Sequence, residues 1–164
     1  MASPLLTAEE QRVFDDQLAE ILSHYPSDRK SAAMLPALHL LQSMKGWLPP
    51  DGMEMVARKL EVSPERAYEV ATFYVMFHTH PLGRHLVEIC TNVSCCLTGG
   101  DRIFEHLKHK LAVANKGTTA DGRITLREVE CLGSCGTAPA MLIDEEMVER
   151  VTLEKAERIV EELK

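Results

Sequence analysis

The sequence predicts an α+β chain in two parts, a small helical bundle over residues 1–80 followed by an α/β domain over residues 81–164. Three observations predict this division. Up to His80, apolar residues recur at helical intervals, and no run alternates for long enough to form a strand. Beyond Pro81-Leu82-Gly83, short alternating runs appear between helical segments. All five cysteines lie in the second part.

Length and composition are those of a folded protein. The chain has 164 residues, 26% charged residues and a net charge of −7, which allows one domain or two of about 80 residues. The acidic balance disfavours nucleic acid as a partner. No uncharged stretch provides the ~18 apolar residues of a membrane-spanning helix. The first eleven residues lack Lys and Arg and include Glu9 and Glu10, which argues against a secretory signal and for a cytosolic location.

Two helices are predicted before residue 45. Thr7 and Glu10 have the spacing of a capping box, so the first helix begins after Thr7, and Pro26 ends it. The second is expected to start at Ser27 and to run to about residue 44. Pro36 lies within that range, and a kink is predicted there.

Two shorter helices complete the first part. One is expected over about Pro50–Leu60, and the next has Ser63 as its N-cap and Pro64 as its first residue, continuing to Val75. Four short amphipathic helices predict a small bundle. Their Met and aromatic residues are interpreted as core rather than as a cofactor site, and no catalytic group is evident among them.

The second part is predicted to alternate strands and helices. The expected elements are, in order, a strand over 86–89 running into Cys90, a helix capped by residues 98–101 and extending to Leu111, a polar loop over 115–122, a strand over 124–129 running into Cys131, a hairpin of 140–143 and 147–151, and a helix capped by Thr152. This order of strand, helix, three strands and helix is close to a thioredoxin-like topology.

The cysteines form two groups, each directly after a predicted strand. Cys90, Cys95 and Cys96 have the pattern C-x4-C-C, and Cys131 and Cys135 have the pattern C-x3-C. Strand ends of a small α/β domain fall on one edge, so the two loops can bring four thiolates together. Disulfides are rare in a reducing compartment, which makes a metal or cluster site the stronger interpretation.

The cysteine spacing favours an iron–sulfur cluster over a single ion. Zinc sites built from four cysteines usually use C-x2-C turns, whereas wider spacings such as C-x4-C occur among [2Fe–2S] sites. A Rieske-type site needs two histidine ligands, and neither group contains C-x-H or C-x-x-H. A cluster with four thiolates is an anion that needs hydrogen-bond donors. The candidate donors are Thr91, Ser94, Ser134, Gly99, Gly100, Gly133, Gly136 and the helix N-terminus after Thr98.

Other interpretations stay open at this point. A thiol–disulfide oxidoreductase needs C-x-x-C at the start of the first helix; a structural zinc site and inert buried cysteines are further alternatives. Cys96 is interpreted as a small side chain in the turn rather than as a ligand. His78, His80, His106 and His109 are interpreted as surface or partner-facing residues. No glycine-rich phosphate loop or catalytic triad pattern is present, so no nucleotide or flavin site is predicted.

Two segments carry a resemblance to a known family. CTNVSCCLTGG from Cys90 and VECLGSCGTAPAML from Val129 resemble the thioredoxin-like [2Fe–2S] ferredoxins that form the small E-type subunit of NADH:quinone oxidoreductase, respiratory complex I. The similarity extends to a GxxP segment at 46–49 and an ATFY segment at 71–74. By motif position it implies four cluster ligands, Cys90, Cys95, Cys131 and Cys135. It also implies a set of residues in the loops that hold the cluster, namely Thr91, Gly99, Gly133, Ala138 and Pro139.

The resemblance also implies a function. FMN on a larger F-type flavoprotein takes two electrons from NADH, and the one [2Fe–2S] cluster of this chain accepts a single electron from it. The chain is then a redox subunit with no substrate site of its own. The helical bundle is expected to dock against the flavoprotein, among other peripheral-arm subunits, in a cytoplasmic complex that lies peripheral to the inner membrane.

Two alternative functions accompany this expectation. The same type of subunit occurs in soluble NAD-dependent hydrogenases and formate dehydrogenases, where it has the equivalent diaphorase role. A zinc-stabilised interaction module is an alternative of a different class. Neither nucleic acid binding nor direct membrane insertion is expected.

Overall fold

The computed structural model describes residues 5–164, so residues 1–4 of the predicted bundle lie outside it. The chain divides into two compact units, the first ending at Pro81 and the second spanning Leu82–Lys164. Each unit has its own cluster of buried apolar side chains. The predicted class, a helical part followed by a mixed α/β part, is confirmed. Within the described range, no helix is long and apolar enough to cross a membrane.

The first unit is helical. Its elements are α1 (Ala8–Ser23), a 3-10 turn (Lys30–Ala33), α2 (Met34–Lys45), α3 (Pro50–Lys59) and α4 (Pro64–Phe73). Phe14 of α1, Leu38 and Leu41 of α2 and Val56 of α3 are fully buried in one apolar cluster. Burial of these amphipathic faces, rather than intrinsic helix propensity, supplies most of the stability of such short helices.

The predicted helix starts in the first unit are confirmed for three of the four helices. The Thr7 hydroxyl accepts from the Glu10 N–H at 3.2 Å, and the Glu10 carboxylate accepts from the Thr7 N–H at 2.7 Å, which completes the capping box. Pro50 and Pro64 are the first residues of α3 and α4. Ser63 occupies the N-cap position of α4.

The prediction for the second helix is wrong at its start. The 3-10 turn lies where the first helical turn was expected, and α2 begins only at Met34. Pro36 is therefore in the first turn of α2, where the N–H groups have no intrahelical partner, and the helix continues through it to Lys45. Gly46 ends α2 in the left-handed region, with φ of +78°.

The second unit is a five-stranded mixed sheet with helices. Its elements are β1 (His85–Cys90), α5 (Val93–Leu97), α6 (Gly100–Lys110), β2 (Gly117–Thr118), β3 (Ile124–Val129), β4 (Met141–Ile143), β5 (Glu146–Val148) and α7 (Leu153–Glu162). The described strands have the order β2-β3-β1-β4-β5, in which β1 and β3 are parallel and the other pairs antiparallel. Val87 of β1, Leu107 of α6 and Val160 of α7 share the buried core.

Two short elements of the second unit escape the sequence pattern. The predicted polar loop contains β2, whose two residues pair with β3, and the cysteine loop contains the single-turn helix α5. Neither is long enough to show a periodicity. The start of α6 also differs from the prediction, because Gly99 is its N-cap and Thr98 instead ends α5, with its hydroxyl donating to the Ser94 carbonyl at 2.8 Å.

The closing hairpin is tighter than predicted. β4 and β5 are joined by the two residues Asp144 and Glu145, and Asp144 has φ of +54°, a conformation that two-residue hairpin turns require. The predicted cap of the last helix is confirmed, since the Thr152 hydroxyl accepts from the Lys155 N–H at 3.1 Å.

A buried ion pair lies between the two parallel strands. Glu88 and Arg127 are register partners, and Arg127 Nε donates to Glu88 Oε1 at 2.6 Å. Glu88 is only 6% exposed. A register slip would separate these two buried charges, which is costly in a low-dielectric interior. The same register sets Cys90 opposite Val129 at the strand ends.

Candidate metal centre

The two cysteine groups follow neighbouring strand ends. Cys90 is the last residue of β1 and pairs with Val129, the last residue of β3; Cys131 follows two residues later. The Thr91 N–H donates to the Val129 carbonyl at 3.2 Å, which extends the pairing one residue past the strands. The loops 91–99 and 130–138 therefore begin side by side at one edge of the sheet.

Cys90 and Cys95 form an inner pair of thiols. Both are 2% exposed and pack with Ala140, and the two thiols are hydrogen-bonded to each other. Burial, reinforced by the hydrogen bond with Cys90, raises the pKa of Cys95 to about 11. The Ala140 N–H donates to the Cys95 thiol and opposes this shift. The inner pair is thus shielded from water.

Cys131 and Cys135 form an outer pair. Both are exposed, and their Sγ atoms lie 3.3 Å apart. The Gly133 N–H, 3.4 Å from Cys131 Sγ, lowers the pKa of Cys131, and the hydrogen bond with Cys131 raises the pKa of Cys135. Gly133 has φ of +81°, a conformation in which a side chain is strained. The loop thus turns a main-chain donor toward a thiol.

The two pairs are close enough to interact. After the larger effect of Cys131, the charge of Cys90 also raises the pKa of Cys135, and the Ser94 hydroxyl, which donates to the Cys135 thiol, lowers it. The charge of Cys135 in turn contributes to the raised pKa of Cys95. Within residues 5–164, no three side chains of His, Cys, Asp or Glu converge on one ion-sized point. The described thiols are arranged instead as two adjacent pairs.

The start of α6 packs directly under the inner pair. A Cβ on Gly100 would lie 2.5 Å from the Cys90 carbonyl oxygen and 3.0 Å from that of Cys95. Only glycine permits this approach, and it brings the positive end of α6 against the loop that carries both thiols.

Three of the predicted donors make contacts that show their role. Ser94 and Gly133 contact thiols, as described above. The Ser134 hydroxyl does not serve the thiols as expected, because it bonds to Glu149 and lies 2.6 Å from the Thr137 hydroxyl. The orientation of the Ser134 hydroxyl is set by Glu149, in the segment after β5. The local sequence around Ser134 does not predict this contact.

Two acidic residues near the site were missed by sequence reasoning. Glu149 accepts from the hydroxyls of Ser134 and Thr137, and Glu130 accepts from the Asn92 amide at 2.6 Å, which ties the two cysteine loops together. Glu130 is adjacent to a cysteine, a signal that could have drawn attention to it. Glu149 is distant in sequence, and no motif marks it.

Cys96 and the histidines lie outside the thiol pairs. Cys96 is exposed on α5, and its N–H donates to the Asn92 carbonyl. His106, expected at the surface or facing a partner, is half-buried and lies 2.6 Å from the Glu157 carboxylate of α7. This contact joins α6 to α7.

Comparison with known proteins gives consistent similarities in sequence. The family model of the thioredoxin-like [2Fe–2S] ferredoxins matches residues 18–164. The NADH-quinone oxidoreductase E subunit of Rickettsia bellii is 42% identical over 146 residues, which cover 88% of this chain and 87% of that protein. The E subunit of Rickettsia prowazekii is 43% identical over 147 residues, with coverage of 88% and 83%. That of Mycobacterium bovis is 40% identical over 145 residues, with coverage of 88% and 57%.

The solved structures give a similarity in fold. A chain of the NAD⁺-reducing [NiFe]-hydrogenase in its H₂-reduced state superimposes with a TM-score of 0.71 at 24% identity, over 82% of this chain and 22% of that one. The air-oxidized state gives a TM-score of 0.69 at 25% identity, over 79% and 22%. This chain therefore corresponds to about a fifth of the hydrogenase chain.

Proposed function

Because the chain belongs to the thioredoxin-like [2Fe–2S] ferredoxin family, we propose that it is the electron-transfer subunit of an NADH:quinone oxidoreductase. The ligands in this proposal are Cys90, Cys95, Cys131 and Cys135. A [2Fe–2S] cluster supplies one-electron chemistry when it is bound. This ligand set is best supported by the positions of the two thiol pairs, which lie next to each other beyond the ends of β1 and β3.

The residues around the thiols fit a cluster of this kind. Two irons need two thiolates each, and the described thiols stand as two adjacent pairs. Main-chain donors reach one thiol of each pair, from Ala140 to Cys95 and from Gly133 to Cys131. Such donors stabilise thiolate charge and set the reduction potential. The buried inner pair excludes water, while the exposed outer pair lies where electrons can enter and leave.

The names of the relatives, which are E subunits of an NADH-quinone oxidoreductase, support the presence of partner subunits. We propose that FMN and NADH are bound by a larger F-type flavoprotein, which passes single electrons to this chain. Residues 81–164 carry the cluster, and residues 1–80 dock against the flavoprotein. The chain has no substrate site of its own in this proposal, and it reaches the cytoplasmic face of the inner membrane through its partner subunits.

A second candidate function is the equivalent role in a soluble NAD-dependent hydrogenase or formate dehydrogenase. The fold similarity to a NAD⁺-reducing [NiFe]-hydrogenase favours it. The two candidates share the same cluster and the same kind of flavoprotein partner. They differ only in the further subunits to which the flavoprotein is attached.

The cluster and the complex are tested in two steps. Anaerobically purified protein is expected to be red-brown, to contain about two irons and two sulfides per chain, and to give an S = 1/2 EPR signal after dithionite reduction. Colourless protein with one zinc ion would support the interaction module instead. Purification of the tagged chain from its native cells should then bring down a flavoprotein with a quinone-reducing membrane arm, whereas a nickel or molybdenum protein would identify the soluble enzyme.

A further inference from the structure

The loop that carries the outer pair has only partial apolar support, from Leu132 and Ala138, which pack against the inner pair and Ala140. Residues 135–137 form a 3-10 turn without a buried side chain, and Cys131, Gly133 and Cys135 are all exposed. The loop keeps its Sγ–Sγ distance of 3.3 Å and its N–H contact to Cys131. Polar contacts from another part of the unit add to this support.

A single carboxylate provides two of these polar contacts. Glu149 Oε1 accepts from Ser134 Oγ and, at 2.6 Å, from Thr137 Oγ1. The two hydroxyls also lie 2.6 Å from each other. Because Ser134 precedes Cys135 and Thr137 follows it by two residues, Glu149 holds the loop on both sides of one thiol.

The segment that carries Glu149 is itself anchored. The Arg150 N–H donates to the Thr137 carbonyl at 2.8 Å, and the Val151 N–H donates to the Pro139 carbonyl at 2.9 Å. Val151 is 3% exposed and belongs to the core of the second unit. Lys155 Nζ donates to the Glu149 carbonyl at 2.8 Å. The segment that carries this exposed carboxylate is thus tied to the core of the second unit.

The charge of Glu149 strengthens its contacts. The hydroxyls of Ser134 and Thr137 hold the pKa of the Glu149 carboxyl below its ordinary value, so the group is ionised at neutral pH. Hydrogen bonds to an ionised acceptor are roughly twice as strong as those between neutral groups.

We propose that Glu149 is a positioning residue for the cluster, which fixes the 131–137 loop and with it the geometry of the outer cysteine pair. This inference rests on the proposed function, because it assigns Cys131 and Cys135 as ligands. Glu149 touches no thiol and acts only through Ser134 and Thr137. Its loss is expected to loosen the outer ligands while the inner pair stays in place.

The test uses the full holoprotein and three substitutions. Glu149→Ala removes the acceptor, Glu149→Gln keeps one neutral acceptor oxygen, and Glu145→Ala changes an exposed glutamate in the same hairpin. Iron extraction by a chelator is expected to be about ten-fold faster in Glu149→Ala, since contacts to a charged group are lost. The EPR g-values and the reduction potential should shift as well, which a general loss of stability would not cause. Glu149→Gln should fall between wild type and Glu149→Ala, because it keeps a neutral acceptor but loses the charge. Glu145→Ala should stay close to wild type.

A coupling experiment shows whether the hydroxyls transmit the effect. In a background of Ser134→Ala with Thr137→Val, Glu149→Ala is expected to change the extraction rate less than about two-fold. If Glu149→Ala accumulates too poorly to study, this double variant alone should reproduce the faster extraction. A wild-type extraction rate and EPR spectrum in Glu149→Ala, or an undiminished Glu149→Ala effect without the hydroxyls, would overturn the inference.

Hydrogen–deuterium exchange separates this inference from the proposed function. Amides of residues 131–137 should exchange faster in Glu149→Ala than in wild type, whichever metal the protein holds. Wild-type protein without iron and sulfide would refute the proposed function, and the exchange result would still decide whether Glu149 orders the loop. Unchanged exchange in an iron-loaded protein would refute the inference alone.

Discussion

The five cysteines have different surroundings, although two of them are adjacent in sequence. Cys95 is buried against Cys90 and Ala140, whereas Cys96 is exposed. Successive residues of a helix are about 100° apart around its axis, so α5 can direct only one of the two inward. This difference supports the assignment of Cys95 as ligand and Cys96 as bystander.

Substitution of single cysteines tests that assignment. Cys96→Ala is expected to keep the iron content, the visible absorbance and the EPR signal of wild type, because its exposed side chain takes part in neither thiol pair. Cys135→Ala is expected to lose the cluster, since one iron is left with a single thiolate. Iron analysis after anaerobic purification measures both. Loss of the cluster in Cys96→Ala would show that the ligand set is wrong.

A histidine at the start of β1 makes stability depend on pH. His85 Nδ1 lies 3.0 Å from the Asp144 carboxylate and Nε2 lies 3.1 Å from the Lys164 main-chain oxygen. The bond to Asp144, more than that to Lys164, raises the pKa of His85, while Arg84 opposes it. A raised pKa in the folded state means that protonation favours folding.

The sign of this effect gives a measurable outcome. The stabilisation is complete below the ordinary histidine pKa of about 6.5 and disappears as the pH rises through the raised value. His85→Gln should therefore lower the free energy of unfolding by less than about 1 kcal/mol at acidic pH, because Asp144 is half-exposed. The difference should shrink as the pH rises through the raised pKa of His85. A wild-type-to-variant difference in Tm that grows with pH would contradict the assignment.

At the level of elements, the contact between α6 and the inner cysteine loop depends on one glycine. A Cβ at Gly100 would meet two main-chain oxygens, those of Cys90 and Cys95, and neither can move without its strand or loop. Alanine usually stabilises a helical position relative to glycine. The opposite sign is expected here.

Gly100→Ala is expected to lower the free energy of unfolding by about 1–3 kcal/mol and to accelerate cluster loss, because the loop must shift away from α6. Gly136→Ala is the matched control, since a Cβ added there would have no atom within 4 Å and its φ is not in the left-handed region. Thermal unfolding and chelator kinetics measure the two effects. Equal behaviour of the two variants would mean that the contact at Gly100 has no influence on the loop.

The elements also show which signals a sequence contains. Thr7 and Thr152 mark helix starts correctly because a capping hydroxyl acts within three residues. The start of α2 and the two-residue strand β2 depend on packing and pairing with distant residues, so no local pattern announces them. Local pattern decides where an element begins only when its stabilising contacts are themselves local.

The candidate site also has features that local sequence predicts and features that depend on distant residues. The cysteine spacings and the strand ends predict where the four thiols gather, because the ends of strands in a small α/β domain lie at one edge of the sheet. The roles of Glu149 and Glu130 were not predicted. Glu149 lies directly after β5, and the β4–β5 hairpin brings it to Ser134 and Thr137. The sequence between Thr137 and Glu149 contains no motif that predicts this contact.

At the level of the whole molecule, the chemistry belongs to one unit. The contacts of the four proposed ligands come from residues within Leu82–Lys164, including Ser94, Gly133 and Ala140. The first unit has a separate core of its own. The proposed roles of cluster binding and partner docking can therefore be tested on separate parts of the chain.

A fragment of residues 82–164 is accordingly expected to fold and to hold the cluster by itself. Its core joins β1, β3, α6 and α7, and domains of about 80 residues are long enough to fold alone. Iron and sulfide content and the EPR spectrum should match those of the full chain, while binding to the flavoprotein partner should weaken by at least about ten-fold if residues 1–80 dock. A fragment of residues 1–81, prepared in parallel, should be helical by circular dichroism and should compete with the full chain for the flavoprotein. A folded 82–164 fragment that cannot be loaded with iron would contradict the assignment of the site to this unit, and one that binds the flavoprotein as tightly as the full chain would contradict the docking role of the bundle.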